Sequence, residues 1–236
     1  MSEILSIQSL SSGYEGMQVL NRVSLSVDQG VTAVLLGANG AGKTTLLKST
    51  LGIISPMSGE VFIDGNNVTK DKPEAKIRKG IAYFSEFGVL PNLSIHENLK
   101  LGGFFLHHSD LKDKVAYMYE KFPDLKEKRK ELAGSLSGGQ RKMLGMARAL
   151  ISQPKLVLMD EPSAGLSPLF VNQVISLVKE FKKEFGSAFL IAEQNVKFLD
   201  IADHVFVLDG GEITFTGTVA ELQESDAISK AYFGVH

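Results

Sequence analysis

Short runs of apolar, β-branched residues recur along this chain, separated by segments whose apolar residues fall three or four positions apart. The runs at 4–10, 23–27, 31–36, 61–63, 81–84, 156–159, 188–192, 205–208 and 213–215 predict β-strands. The last two flank Asp209-Gly210-Gly211, a hairpin signal. Helical spacing runs from Lys43 through Leu46, Leu47 and Leu51, and again through Val174, Ile175, Leu177, Val178 and Phe181. These predict two helices laid against a sheet. Strands alternating with helices define an α/β domain with a largely parallel sheet. From Pro91 to Leu150 strand patterns disappear and 111–122 and 140–150 read as helices, so a helical subdomain is expected at 89–150. The expected organisation is one domain, 1–236, whose core comprises 1–88 and 151–236. No internal repeat or Pro/Gly-rich linker marks a second unit.

Composition narrows the function classes. The chain has 236 residues, 44% hydrophobic and 22% charged, enough to bury one sizeable core and too few for two such domains in tandem. A formal charge of -2 provides no positive field for gathering nucleic acid or anionic lipid, so no nucleic-acid partner is expected. The absence of cysteine excludes disulfides and thiolate metal sites and is compatible with a reducing compartment. Residues 1–10 carry Glu3 and alternating apolar positions, not a basic stretch and apolar core, and no run has the length of a membrane span. Any service to a membrane is expected to pass through a partner.

Three segments carry chemistry. Gly37-Ala38-Asn39-Gly40-Ala41-Gly42-Lys43-Thr44 follows an apolar strand and opens a helix, the setting of a phosphate-cradling loop. Its glycines let backbone N–H groups close on phosphate oxygens, Lys43 neutralises the terminal phosphates and the Thr44 hydroxyl is placed for Mg²⁺. The bland alternative is a glycine-rich turn that starts a helix. The strand 156–159 ends in Asp160 and Glu161, where Asp160 is expected to hold Mg²⁺ through water and Glu161 to take a proton from attacking water. Alone, this pair is equally a polar strand end entering a turn. Leu136-Ser137-Gly138-Gly139-Gln140 opens another helix with a hydroxyl and two glycines, a second potential anion site.

With LSGGQ between the other two motifs, the chain resembles the ATP-binding cassettes of ABC proteins over nearly its whole length. The resemblance implies a P-loop NTPase fold with a mostly parallel core and an antiparallel β-subdomain beside the helical insertion. It implies ATP and Mg²⁺ as cofactors, with the whole loop from Gly37 to Thr44 and the following Thr45 on the nucleotide. It further implies a head-to-tail dimer in which Ser137, Gly138, Gly139 and Gln140 of one subunit meet the nucleotide held by the other. Tyr14 resembles the aromatic that stacks on adenine, although an aromatic between strands is by itself more often core. Ser163-Ala164-Gly165-Leu166-Ser167 is similar to the D-loop that crosses between subunits.

Two positions depart from the common pattern. Glu86 stands where most cassettes carry a Q-loop glutamine, and Gln194, in Ala192-Glu193-Gln194-Asn195, stands where most carry a switch histidine. Glu86 still offers an oxygen to Mg²⁺, while Gln194 can donate a hydrogen bond to phosphate but cannot become cationic. The pair, with the tail Ile228-Ser229-Lys230-Ala231-Tyr232-Phe233-Gly234, resembles ATP-binding subunits of branched-chain amino acid importers. Phe84-Ser85-Glu86-Phe87-Gly88 lacks the Pro and Arg residues common around that Glu. The resemblance implies permease transmembrane subunits, a sister ATP-binding subunit or a second copy, an external solute-binding protein acting indirectly, and a place on the cytoplasmic face of the cell membrane. A soluble ABC ATPase acting on DNA or the ribosome is the rival class, but long coiled coils, a second cassette and basic linkers are missing. A GTPase would show Asn-Lys-x-Asp, which is absent. His107-His108 beside Ser109-Asp110 reads as a solvated loop, not a metal site.

Overall fold

The computed structural model describes residues 2–85 and 88–225. Glu86 and the segment 228–234 therefore lie outside the described residues. The elements in chain order are β1 (Glu3–Tyr14), β2 (Met17–Asp28), β3 (Thr32–Leu36), α1 (Lys43–Leu51), β4 (Ser58–Ile63), β5 (Asn66–Asn67), α2 (Pro73–Arg78) and β6 (Ile81–Phe84). Four helices follow, α3 (Ile95–Gly102), α4 (His108–Lys121), α5 (Pro123–Glu127) and α6 (Gly138–Leu150). The chain then returns through β7 (Leu156–Asp160), α7 (Pro168–Phe185), β8 (Ala188–Glu193), β9 (His204–Asp209), β10 (Glu212–Gly217) and α8 (Val219–Glu224).

Two sheets organise these elements, with strand orders β10-β9-β3-β8-β7-β6 and β2-β1-β4-β5. In the larger sheet β9, β3, β8, β7 and β6 are parallel and β10 closes one edge antiparallel. The smaller sheet is antiparallel throughout. The fold is thus the α/β architecture expected, with a parallel core, an antiparallel sheet and helices.

All five residues of β3 are buried, because the larger sheet is covered on both faces. Val34 and Leu36 join a core with Val157, Met159, Leu144, Val174 and Phe181 on the helical side. Ala33 and Leu35 join a second core with Leu156, Leu158, Leu46, Leu47, Leu5 and Ile7 on the side of α1 and the smaller sheet. Burying each leucine fully stabilises by about 1.5–3 kcal/mol before entropy is counted. The two packed faces hold the C-terminal ends of β3, β7 and β8 in one row, with Leu36 opposite Glu193 and Asp160 opposite Ala192.

The hairpin β1–β2 is longer than the runs 4–10 and 23–27 predict, because residues 11–14 and 17–22 continue the two strands through register shifts. Alternation is lost there since Ser11 and Ser12 are buried as polar groups. The Ser11 hydroxyl accepts the Arg22 N–H, and the Ser12 hydroxyl lies 2.7 Å from that of Ser49 on α1. His107 and His108 are both exposed; His107 lies in the non-helical segment before α4, with its Nδ1 2.9 Å from the Ser109 hydroxyl, whereas His108 is already the first residue of the helix. No described helix is long and apolar enough to cross a membrane.

Candidate nucleotide site

The loop after β3 turns into α1 through Gly42, whose φ of 109° falls in the region that disfavours side chains. A Cβ there would also sit 2.8 Å from Leu20 Cδ2, so the loop lies tight against β2. Ala38, Asn39 and Gly40 are exposed at the rim, whereas Ala41, Gly42, Lys43 and Thr45 are buried beneath them. The Lys43 ammonium, 3% exposed, turns back into the loop and donates to the carbonyls of Gly37 at 2.8 Å and Ala38 at 3.0 Å. It also lies 3.3 Å from Glu161 Oε1. A buried cation held by exchangeable carbonyls and a carboxylate is ready to take an anionic partner in their place.

Asp160 ends β7 beside this cluster. Its Oδ1 accepts the Thr44 hydroxyl at 2.9 Å and its Oδ2 accepts the Tyr83 phenol at 3.0 Å. Burial, followed by the Asp160 charge and this hydrogen bond, pushes the Tyr83 phenol far above its ordinary range, so Tyr83 stays a donor to the carboxylate. A carboxylate and a hydroxyl side by side are hard oxygen donors suited to Mg²⁺. Glu161 follows with φ 46°, an uncommon conformation for a side-chain-bearing residue, and its N–H donates to the Ala192 carbonyl on β8 at 2.9 Å.

Ser137 caps α6: its hydroxyl accepts the Gln140 N–H at 3.3 Å, and Gln140 Oε1 accepts the Ser137 N–H at 3.2 Å. Ser137 and Gly138 are exposed, and Gly139 is pressed onto Phe170 of α7, whose ring carbon would lie 2.7 Å from an added Cβ. Among the described residues, no hydrogen bond joins 137–140 to the loop 37–44. Tyr14, 46% exposed, ends β1 at the hairpin with its ring accessible for stacking. Gln194 is exposed directly after β8. The fold therefore gathers Gly37 to Thr45, Asp160, Glu161 and the start of the Gln194 segment at one edge.

Sequence reasoning missed Tyr83, Lys142 and Glu193. Tyr83 reads as one more residue of an apolar strand, and its link to Asp160 depends on the β6–β7 register. Lys142, one turn into α6, donates to the carbonyls of Glu161 at 3.3 Å and Ala164. Its position within an amphipathic helix carries no signal of that role.

A parallel sheet with a glycine-rich loop at its strand ends, an adjacent Asp-Glu pair and a capped second motif defines a nucleotide-hydrolysing cassette. Residues 20–164 match the ABC transporter family, and the chain belongs to that family as an ABC ATPase. It is 37% identical over 232 residues to the high-affinity branched-chain amino acid transport ATP-binding protein BraG of Pseudomonas aeruginosa, covering 98% of this chain and 100% of that protein. It is 31% identical over 237 residues to the lipopolysaccharide export system ATP-binding protein LptB of Escherichia coli strain K12, covering 98% and 97%. A solved nucleotide-free ATP-binding cassette from an ABC transporter superposes with a TM-score of 0.86 at 26% identity, covering 98% of each chain.

Proposed function

We propose that this chain hydrolyses ATP to drive uptake of branched-chain or related amino acids through separate permease subunits. The observation that carries the chemistry is the Lys43, Thr44, Asp160 and Glu161 cluster at the strand ends. In this reading the phosphates displace the carbonyls of Gly37 and Ala38 and the Glu161 carboxylate from the Lys43 ammonium. Backbone N–H groups from Gly37 to Thr45 line the polyphosphate, and Tyr14 stacks on the base. Thr44 and, through water, Asp160 would hold Mg²⁺, which would offset phosphate charge, and Glu86 would offer a further oxygen. Once released from Lys43, Glu161 accepts the proton of attacking water, and Gln194 donates a neutral hydrogen bond to the terminal phosphate. Ser137, Gly138, Gly139 and Gln140 meet the nucleotide of a second cassette, either a sister subunit or another copy, a reading that the exposure of Ser137 and Gly138 supports.

Residues 89–150 act as the arm that conveys closure to the permease. A cleft of about 360 Å³ between α2, α3 and α6, lined by apolar side chains together with Ser85, Arg148 and Ser152, supports this. Ile77, Leu90, Leu101 and Phe105 are partly exposed in it and Phe104 is 70% exposed. A grouped apolar surface of this kind marks a partner contact. The chain then sits on the cytoplasmic face of the membrane, and an external solute-binding protein feeds the permease. Identity to BraG over nearly the whole chain supports amino-acid import; identity to LptB favours an export motor as the second reading.

Two measurements test this. Glu161→Gln is expected to keep ATP binding and lower turnover by at least about 100-fold, within the range of a lost general base; full hydrolysis by that variant removes Glu161 from the role. The tagged chain, purified gently from native membranes, is expected to bring polytopic subunits that take up branched-chain amino acids when reconstituted. Recovery with a lipid-export apparatus, or with ribosomes or DNA, overturns the import reading and leaves the ATPase chemistry intact.

A further inference from the structure

Glu193 is the last residue of β8, 1% exposed, and among the described residues no Lys, Arg or His forms an ion pair with it. Its charge is satisfied by three backbone donors. Oε1 accepts the Ser163 N–H at 2.7 Å, and Oε2 accepts the N–H groups of Gln194 at 3.0 Å and Asn195 at 3.1 Å. Asn195 Nδ2 reaches the Ser163 hydroxyl at 3.4 Å as a second tie between the same segments. Ser163 belongs to the turn that starts at Glu161 and is closed by the Ala164 N–H on the Glu161 carbonyl at 3.2 Å. Lys142 of α6 donates to carbonyls of that turn. The turn is thus held between an anion on its N–H side and a cation on its carbonyl side.

We propose that Glu193 is a positioning residue for hydrolysis, its carboxylate locking the turn of Glu161 and Ser163 to the segment of Gln194. This rests on the reading of Glu161 as general base and Gln194 as phosphate donor. Glu161 sits at φ 46°, so its direction depends on an external hold. Gln194 has no ring or charge to fix it, so its backbone must be fixed instead. An ionised carboxylate suits the task because both oxygens accept. A carboxamide at the same place presents an NH₂ to at least one of the backbone donors. Turning its oxygen toward Gln194 and Asn195 keeps two bonds and releases Ser163, the arrangement with fewer losses. An aspartate is one methylene shorter and keeps the near donors at the cost of the same Ser163 bond.

The test compares wild-type chain, Glu193→Gln, Glu193→Asp and Glu161→Gln by amide hydrogen exchange and by ATPase kinetics in the assembled transporter. Both Glu193 variants are expected to speed exchange at 161–166 by about tenfold or more, the scale of one lost charge-assisted bond, while 194–196 and the cores of β3 and β8 change by less than about twofold. Turnover is expected to fall at least about tenfold with KM for ATP within about twofold, since Lys43 and the loop remain intact. Unchanged exchange at 161–166, or wild-type kcat despite faster exchange there, overturns the proposal. A uniform rise in exchange across the chain also overturns it, because that is loss of stability and not local release. Should Glu161→Gln hydrolyse ATP at full rate, the base assignment fails separately, and the exchange pattern still decides whether Glu193 holds the turn.

Discussion

Lys76 is wholly buried in α2, and its ammonium donates to the Thr50 carbonyl in the last turn of α1 at 2.8 Å. Burial lowers its pKa from 10.5 to about 8, opposed in part by the charge of Asp71. Below pH 8 the lysine is protonated in both folded and unfolded chains, and the fold bears the whole cost of the buried charge. As pH rises from 8 toward 10.5 the folded lysine is neutral while the unfolded one still binds its proton, so stability rises with pH. The full shift corresponds to about 3 kcal/mol, of which about 2 kcal/mol is recovered between pH 7 and pH 9.5. Lys76→Met keeps an unbranched stem of similar length and removes the titration. At any one pH the lost bond to Thr50 and the relieved burial act in opposite directions, so the slope with pH is the diagnostic. Urea unfolding of both chains from pH 7 to pH 9.5 is expected to show wild-type stability gaining about 2 kcal/mol on the variant. A constant difference across that range refutes a buried, titrating Lys76.

Two predictions concern the motifs at the site edge. Gly139→Ala places a methyl against the Phe170 ring, so the start of α6 must shift; turnover is expected to fall at least about tenfold, in line with the usual cost of overpacking, while ATP binding at the Lys43 loop holds. Adding Phe170→Leu to that variant is expected to restore turnover, and a double variant as slow as the single one would show that the ring is not the obstacle. With Gln194 at the switch, turnover is expected to pass through the histidine range without a limb from that residue. Gln194→His is expected to add one, activity falling as pH rises through about 6.5 if the protonated ring assists; a pH–rate profile identical to wild type would leave the switch role without support.

Much of the candidate site was legible because its parts are local. A loop that cradles phosphate must follow a strand, bend through residues such as Gly42 and open a helix at Lys43, so spacing alone marks it. Asp160 and Glu161 likewise announce themselves as charges ending an apolar strand, and Ser137 with Gln140 spells its own cap. Alternating runs were enough to define the parallel sheet, since strands buried on both faces admit few polar residues. Only the tertiary structure decided what lies beyond neighbours in sequence. It carried β1 and β2 past their apolar runs by burying Ser12 against Ser49, and it set Tyr83 on Asp160 through strand register. Glu193 showed no difference from any other strand-ending carboxylate until the fold brought the Ser163 amide to it. Chain spacing determines backbone shape within a turn or two, whereas the partner of a buried charge depends on which strand ends the packed cores hold side by side.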